Sequence, residues 1–168
     1  MAEVIGTPTP HPCPILFLFA IKISIQGSRP NMKLWKLVVS IFFNKLLNNE
    51  TIVVHGDGLQ TRSFTWIDDV TDGFVKAGLL EKGVDGSDLS GLAFNIGSTE
   101  EITISQLAQK VVSTSGKEGT EIEFGTGYFG DSKRRLPDIE GAEKILGWQP
   151  TVDLQQGLQM MWNELTEN

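Results

Sequence analysis

The chain has 168 residues, with 14 Lys and Arg against 21 Asp and Glu, a formal net charge of −7 and a hydrophobic fraction of 40%. Such a length and composition suit one globular domain with a core of its own, and a pI near 4.8 speaks against nucleic-acid binding, which needs a basic surface for counterion release. Cys13 is the single cysteine, and His11 and His55 are the only histidines. Neither a disulfide framework nor a CxxC or histidine-rich metal site can be built from them, and a reducing, cytoplasmic compartment is the expectation.

Residues 1–14 carry Pro8, Pro10, Pro12 and Pro14 and read as an irregular leader. The apolar run from Ile15 to Ile21 falls far short of the roughly 20 residues that span a bilayer. Glu3 without any Lys or Arg ahead of that run, and no small-residue cleavage site after it, argue against a secretory signal. Residues 15–25 read as a buried strand in which Ile21, Ile23 and Ile25 alternate. An N-terminus foreign to the fold is the alternative reading.

From Asn31 to Leu47, the residues Leu34, Leu37, Val38, Ile41, Phe42 and Leu46 recur at three- and four-residue steps. They predict an amphipathic helix capped by Asn31 and ended by Asn48-Asn49. Thr51 to His55 is a β-branched strand, stopped at Gly56-Asp57-Gly58, and Ser63 to Ile67 is a second extended piece. Asp68 and Asp69 open a helix with Val70, Phe74, Ala77 and Leu80 on one face. After a polar loop from Gly83 to Gly91, Leu92 to Ile96 reads as a strand closed by Gly97. A helix beginning around Thr103 and Ile104 carries the stripe Leu107, Ala108, Val111 and Val112 and ends at Gly116. Thr120 to Phe124 alternates as a half-exposed strand; residues 125–135 are glycine-rich and then basic; helices follow over 139–146 and 153–166. Strands alternating with helices define an α/β chain.

Four places could carry chemistry. Arg62, just beyond the Gly56–Gly58 turn, could hold a phosphate bidentately, or it is a surface arginine paired with Asp57 or Asp69. Lys133-Arg134-Arg135 is the densest positive charge in an acidic chain, which suggests a local anion site, the alternative being solvated loop charges. Asp138 can cap the helix that follows. Asn95 stands at the end of a predicted strand, where α/β sheets collect ligands, or bonds its own backbone as a turn residue. His55, also at a strand end, can stack on a flat ring or simply fill space. The pairs Asp68-Asp69, Glu100-Glu101 and Glu121/Glu123 read as helix starts or exposed strand faces, so no residue is assigned catalysis. The sequence contains no Gly-x-x-Gly-x-x-Gly turn, no Tyr-x-x-x-Lys pair around its only tyrosine, Tyr128, and no P-loop, hydrolase triad or metal motif.

Taken in order, several segments resemble the C-terminal part of the NAD-dependent epimerase/dehydratase family, extended short-chain dehydrogenases that modify nucleotide sugars. They are Val54-His55-Gly56-Asp57-Gly58-Leu59-Gln60-Thr61-Arg62 running on to Asp69, Phe94-Asn95-Ile96-Gly97, Thr103-Ile104-Ser105 with Leu107-Ala108, Lys133-Arg134-Arg135-Leu136-Pro137-Asp138-Ile139, and Leu146-Gly147-Trp148-Gln149-Pro150 with Leu154 to Leu158. Gly27-Ser28-Arg29-Pro30 looks like a shortened form of the family's Tyr-Gly-Pro-Arg stretch, without its tyrosine. The resemblance implies an α/β fold: the substrate-binding portion of an extended short-chain dehydrogenase, a partial Rossmann-type fold lacking the N-terminal NAD fingerprint. Residues 15–30 would then be a remnant of the Rossmann-side sheet and 31–168 the nucleotide-sugar-binding domain.

Residue by residue, the resemblance makes Arg62 and Arg135 holders of the nucleotide-sugar diphosphate and puts Asn95 near the same phosphates. His55 takes the place of an aromatic residue beside the base. Tyr128 stands where some branches have an arginine. NAD is implied for the full-length family and not for this chain alone, which lacks the cofactor and Tyr-x-x-x-Lys motifs. The expectation is therefore a truncated, split or partial enzyme that binds a UDP-, dTDP- or GDP-sugar without turnover, as a homodimer or with a complementing N-terminal chain, and with no nucleic acid or membrane as partner. The competing expectation is a non-catalytic sugar-nucleotide-binding or protein-interaction module, in which Phe17, Phe19, Phe42 and Phe43 need cover from a partner.

Overall fold

The computed structural model describes residues 37–167. The leader, the 15–25 strand, the Gly27–Pro30 stretch and the Asn31 cap lie outside the described residues. Within them the order is α1 (Val38–Leu47), β1 (Ile52–His55), β2 (Thr61–Ser63), α2 (Ile67–Leu79), β3 (Glu101–Thr103), α3 (Ile104–Ser115), β4 (Ile122–Gly125), β5 (Arg134–Arg135), α4 (Glu140–Leu146) and α5 (Leu154–Thr166). The α/β class holds.

Two small sheets organise the chain. β1 pairs in parallel with β4, Ile52 opposite Ile122 and His55 opposite Gly125. β2 is the centre of a three-stranded sheet, antiparallel to β3 and parallel to β5. The main core fills the space between β1 and the helices α1, α3 and α5: Phe42, Phe43, Leu46, Ile52, Val54, Leu107, Ala108, Val111 and Leu158 are all buried. Phe43 stacks on Trp162 with ring centroids 5.3 Å apart. The chain itself thus covers Phe42 and Phe43, contrary to the expectation that a partner does so.

Several predicted elements change. On α1 the buried face is Phe42, Phe43 and Leu46, while Leu37 and Ile41 of the predicted stripe are exposed, because α3 and α5 approach from the other side. The second extended piece lies earlier, at Thr61–Ser63, where β3 supplies hydrogen-bonding partners. β3 itself is hidden in the sequence, since it ends at Thr103, whose side chain closes a capping box with Gln106. On α2 the fully buried residues are Asp69 and Gly73; Val70 and Phe74 are half-buried, and Ala77 and Leu80 are exposed. A Cβ on Gly73 would sit 2.7 Å from Ile96 Cγ2, so the helix needs glycine for its close approach to that segment.

The predicted strand Leu92–Ile96 is not a strand among the described residues. Its flanks are tied by side chains instead. Asn95 Nδ2 donates to the Asp138 carbonyl at 2.8 Å, and Thr65 Oγ1 accepts from the Ser98 N–H at 2.8 Å. Phe94 and Ile96 pack on a second core of Ile139, Ala142, Leu146 and Trp148. The endings predicted for α1 and α3 are borne out: Asn48 is the C-cap of one and Gly116, left-handed at φ 69°, of the other.

A buried clasp fastens the C-terminal segment. The Asp69 carboxylate accepts from Thr151 Oγ1 at 2.6 Å and from the N–H groups of Thr151 and Val152 at 3.1 and 3.0 Å. Trp148 Nε1 donates to the Asp69 carbonyl at 2.8 Å. Glu100 accepts from the Leu154 N–H at the start of α5.

Candidate functional site

β2 sets the candidate site. Thr61, Arg62 and Ser63 alternate across the sheet, so Arg62 shares one face with its register partners Ile102 and Arg135. Thr61 lies on the other face with its partner Arg134. There Glu101 accepts from Thr61 Oγ1 at 2.5 Å and takes Arg134 in a fork at 2.8 and 3.0 Å. The Arg134 guanidinium, then the Thr61 hydroxyl, draws the Glu101 carboxyl down to about 2. In return Glu101 raises the pKa of Arg134. Of the three basic residues at 133–135, Arg134 is thus held by its own sheet.

Arg62 is paired neither with Asp57 nor with Asp69. Asp57 accepts from the Leu59 N–H in its turn, and Asp69 is the clasp described above. The partner is Asp131, at 2.6 Å from Nη2, while Nη1 donates to the carbonyls of Ser132 and Thr61 at 2.8 and 2.7 Å. The Arg62 side chain is 17% exposed and that of Asp131 34%. Arg135, on the neighbouring strand, is exposed and has no side-chain partner among the described residues.

His55 and Asn95 lie on other segments. His55 is exposed at the end of β1; its Nδ1 is 3.1 Å from the Thr126 carbonyl, and its ring meets Tyr128 at 4.6 Å between centroids. Tyr128 and Phe129 are themselves exposed. Asn95 borders an open groove of about 500 Å³ lined by Phe94, Asp138, Glu140 and Lys144. Asp138 accepts from the Glu140 N–H at 3.0 Å, but the N-cap of α4 is Ile139, without a side-chain cap bond, so the predicted cap stands one residue too early. The structure therefore brings Arg62 and Arg135 together, joins His55 to Tyr128 and anchors Asn95 to Asp138. Asp131 and Tyr128 escape sequence reasoning as contact residues, because both sit in a loop without periodicity. The Gly130-Asp131 turn before the basic run was the signal available.

The glycines of this loop bear on cofactor binding. Gly125, Gly127 and Gly130 have the Gly-x-Gly-x-x-Gly spacing, beginning on the last residue of β4, but β5 and no helix follows them. A dinucleotide fingerprint needs a helix N-terminus to receive the pyrophosphate. Gly127 instead allows close backbone approach: a Cβ there would lie 3.3 Å from Gly56 Cα. These residues do not fit NAD. Among the described residues no group of three or more His, Cys, Asp or Glu could hold a metal, and no helix is long and apolar enough to cross a membrane.

The architecture is that of the C-terminal portion of extended short-chain dehydrogenases. The UDP-glucuronic acid 4-epimerase of Bacillus cereus, solved with UDP-glucuronic acid and NAD, superposes with a TM-score of 0.71 at 28% identity, over 79% of this chain and 40% of that one. The UDP-glucose 4-epimerase of Thermotoga maritima, solved with UDP-glucose, gives 0.68 at 29% identity, over 79% and 40%. The family described as GDP-mannose 4,6 dehydratase matches residues 18–161. UDP-glucuronic acid decarboxylase 2 of Arabidopsis thaliana is 38% identical over 124 residues, 74% of this chain and 26% of that protein. The chain belongs to the NAD-dependent epimerase/dehydratase family of nucleotide-sugar enzymes. It spans only about a quarter to two-fifths of the length of the relatives it matches.

Proposed function

We propose that residues 31–168 form a nucleotide-sugar-binding domain, in which Arg62 and Arg135 grip the diphosphate, Asn95 lies toward the same phosphates and His55 toward the base. The observation that carries this reading is the register of β5 on β2, which seats Arg62 beside Arg135 on one sheet face, about 4.8 Å apart along the hydrogen-bonding direction. Two arginines on adjacent strands and one sheet face suit an anion with two charged groups. Relatives were solved with UDP-glucose and UDP-glucuronic acid, which supports a nucleotide sugar as ligand.

The family reaction removes hydride from the sugar to NAD and needs a tyrosine base beside a lysine. The 168 residues contain no Tyr-x-x-x-Lys pair, so these residues alone bind without turnover, and the cofactor half of the reaction lies outside them. A cytoplasmic setting goes with this reading.

Titration calorimetry with UDP and UDP-glucose tests it. Each arginine–phosphate contact contributes about 1.5–3 kcal/mol, so Arg62→Ala and Arg135→Ala each weaken binding about tenfold or more, and added salt weakens the wild type. Equal binding by all three proteins refutes the diphosphate site, and product formation from NAD and any nucleotide sugar refutes the absence of turnover.

A further inference from the structure

Resting on that reading, we propose that Asp131 is an affinity-setting residue: its carboxylate occupies the anion seat of Arg62 as an intramolecular competitor that a diphosphate ligand must displace. Three of the five N–H donors of a guanidinium are engaged at Arg62, by Asp131 Oδ1 at 2.6 Å and by the Ser132 and Thr61 carbonyls. Two of those three acceptors belong to the segment between β4 and β5. The arginine thereby moors that segment, whose preceding residues Tyr128 and Phe129 are exposed.

The local charge balance favours exchange for a ligand with more than one charge. Of Arg62 and Arg135 only Arg62 holds a carboxylate, so the pair carries one positive charge in excess while Asp131 is seated. Glu101 is spent on Arg134 on the opposite face. A diphosphate that entered between the arginines would satisfy both guanidiniums, which the single Asp131 carboxylate does not do. A monoanion would gain little over Asp131.

The competition has a definite size. Apparent affinity falls by the fraction of molecules in which the seat is open. A partly exposed pair, reinforced by a carbonyl on the same segment, that is closed about nine-tenths of the time lowers affinity about tenfold.

The test uses the 168-residue chain and inorganic pyrophosphate, with UDP as a second arm and inorganic phosphate as the smaller anion. Asp131→Asn keeps the shape and removes the charge. It is expected to bind pyrophosphate and UDP three- to tenfold more tightly than wild type, with a smaller gain for phosphate, and the double variant Arg62→Ala/Asp131→Asn is expected to lose the gain. Chymotrypsin, which cuts after Tyr128 or Phe129, gives a readout without ligand: Asp131→Asn is expected to be cleaved there several-fold faster than wild type. Unchanged or weaker binding by Asp131→Asn, or an unchanged cleavage rate, overturns the competitor role while leaving the diphosphate site standing. No binding of pyrophosphate or UDP by either protein refutes the site itself, and the competitor role with it.

Discussion

Replacing Asp69 tests whether the buried clasp holds the C-terminal third of the domain. Asp69 is 6% exposed and receives a hydroxyl and two backbone N–H groups from Thr151 and Val152. Burial alone would raise its pKa, but the bonds from the Thr151 hydroxyl and from the Val152 and Thr151 N–H groups outweigh burial and leave the carboxyl below its ordinary value. Asp69→Ala strands both N–H donors and the hydroxyl; at about 1–3 kcal/mol for each unsatisfied buried group, partly relieved by water, the loss is about 3 kcal/mol. Asp69→Asn keeps one oxygen for the two N–H groups and makes the Thr151 hydroxyl turn to accept from the amide, but it replaces charge-assisted bonds by neutral ones and loses about 2 kcal/mol. For a chain of this size that corresponds to a drop in Tm of about 4–8 °C.

The pH dependence follows from the same bonds. A carboxyl whose folded pKa is depressed stabilises fully above its unfolded value and loses that contribution as pH falls through the folded one. The gap between wild type and Asp69→Asn is therefore full at pH 7 and narrows below about pH 4. Urea denaturation at pH 7, 5 and 3 measures it. An Asn variant within about 0.5 kcal/mol of wild type at pH 7, or a gap that stays constant down to pH 3, would refute the account.

Trp148→Phe removes the donor to the Asp69 carbonyl and leaves a void in the second core; the loss is about 2 kcal/mol in denaturant titrations, and a wild-type midpoint would count against the Trp148 bond. Gly73→Ala raises helix propensity yet forces Ile96 aside, and its stability falls by about 1–3 kcal/mol in calorimetric melting; a stabilised variant would mean α2 does not press on Ile96. Glu101→Gln differs from wild type above about pH 4.5, and the difference narrows as pH falls toward about 2, where the wild-type carboxyl takes up its proton; chemical denaturation across that range checks it, and a gap undiminished at pH 2 would disprove the Arg134 pairing.

What the sequence reveals depends on how local the determining contact is. α3 is legible in its stripe, its start around Thr103 and Ile104 and its Gly116 stop, which all lie within the helix or next to it. Leu92–Ile96 reads as a strand because apolar β-formers alternate there, but strandness needs a neighbour, and none pairs with it among the described residues. Asp69 looks like an N-terminal helix charge; its true partners lie 82 and 83 residues away, beyond the reach of any local pattern. Arg62 and Arg135 are singled out in the sequence one by one, while their adjacency depends on a parallel register that only the fold supplies. Asp131 was missed for the same reason.

The parallel pairing of β1 with β4 has a consequence for how the chain is made. His55 and the Thr126 carbonyl it meets are 71 residues apart, and ribosomes add about 5–20 residues per second. Ile52 and Val54 therefore emerge several seconds before the strand that covers them, and the Asp69 clasp closes later still. Contacts this distant slow folding and leave apolar surface waiting. During synthesis the domain has a period in which chaperone binding to the β1 segment competes with folding, and a ribosome stalled before Ile122 would hold it in that unprotected condition.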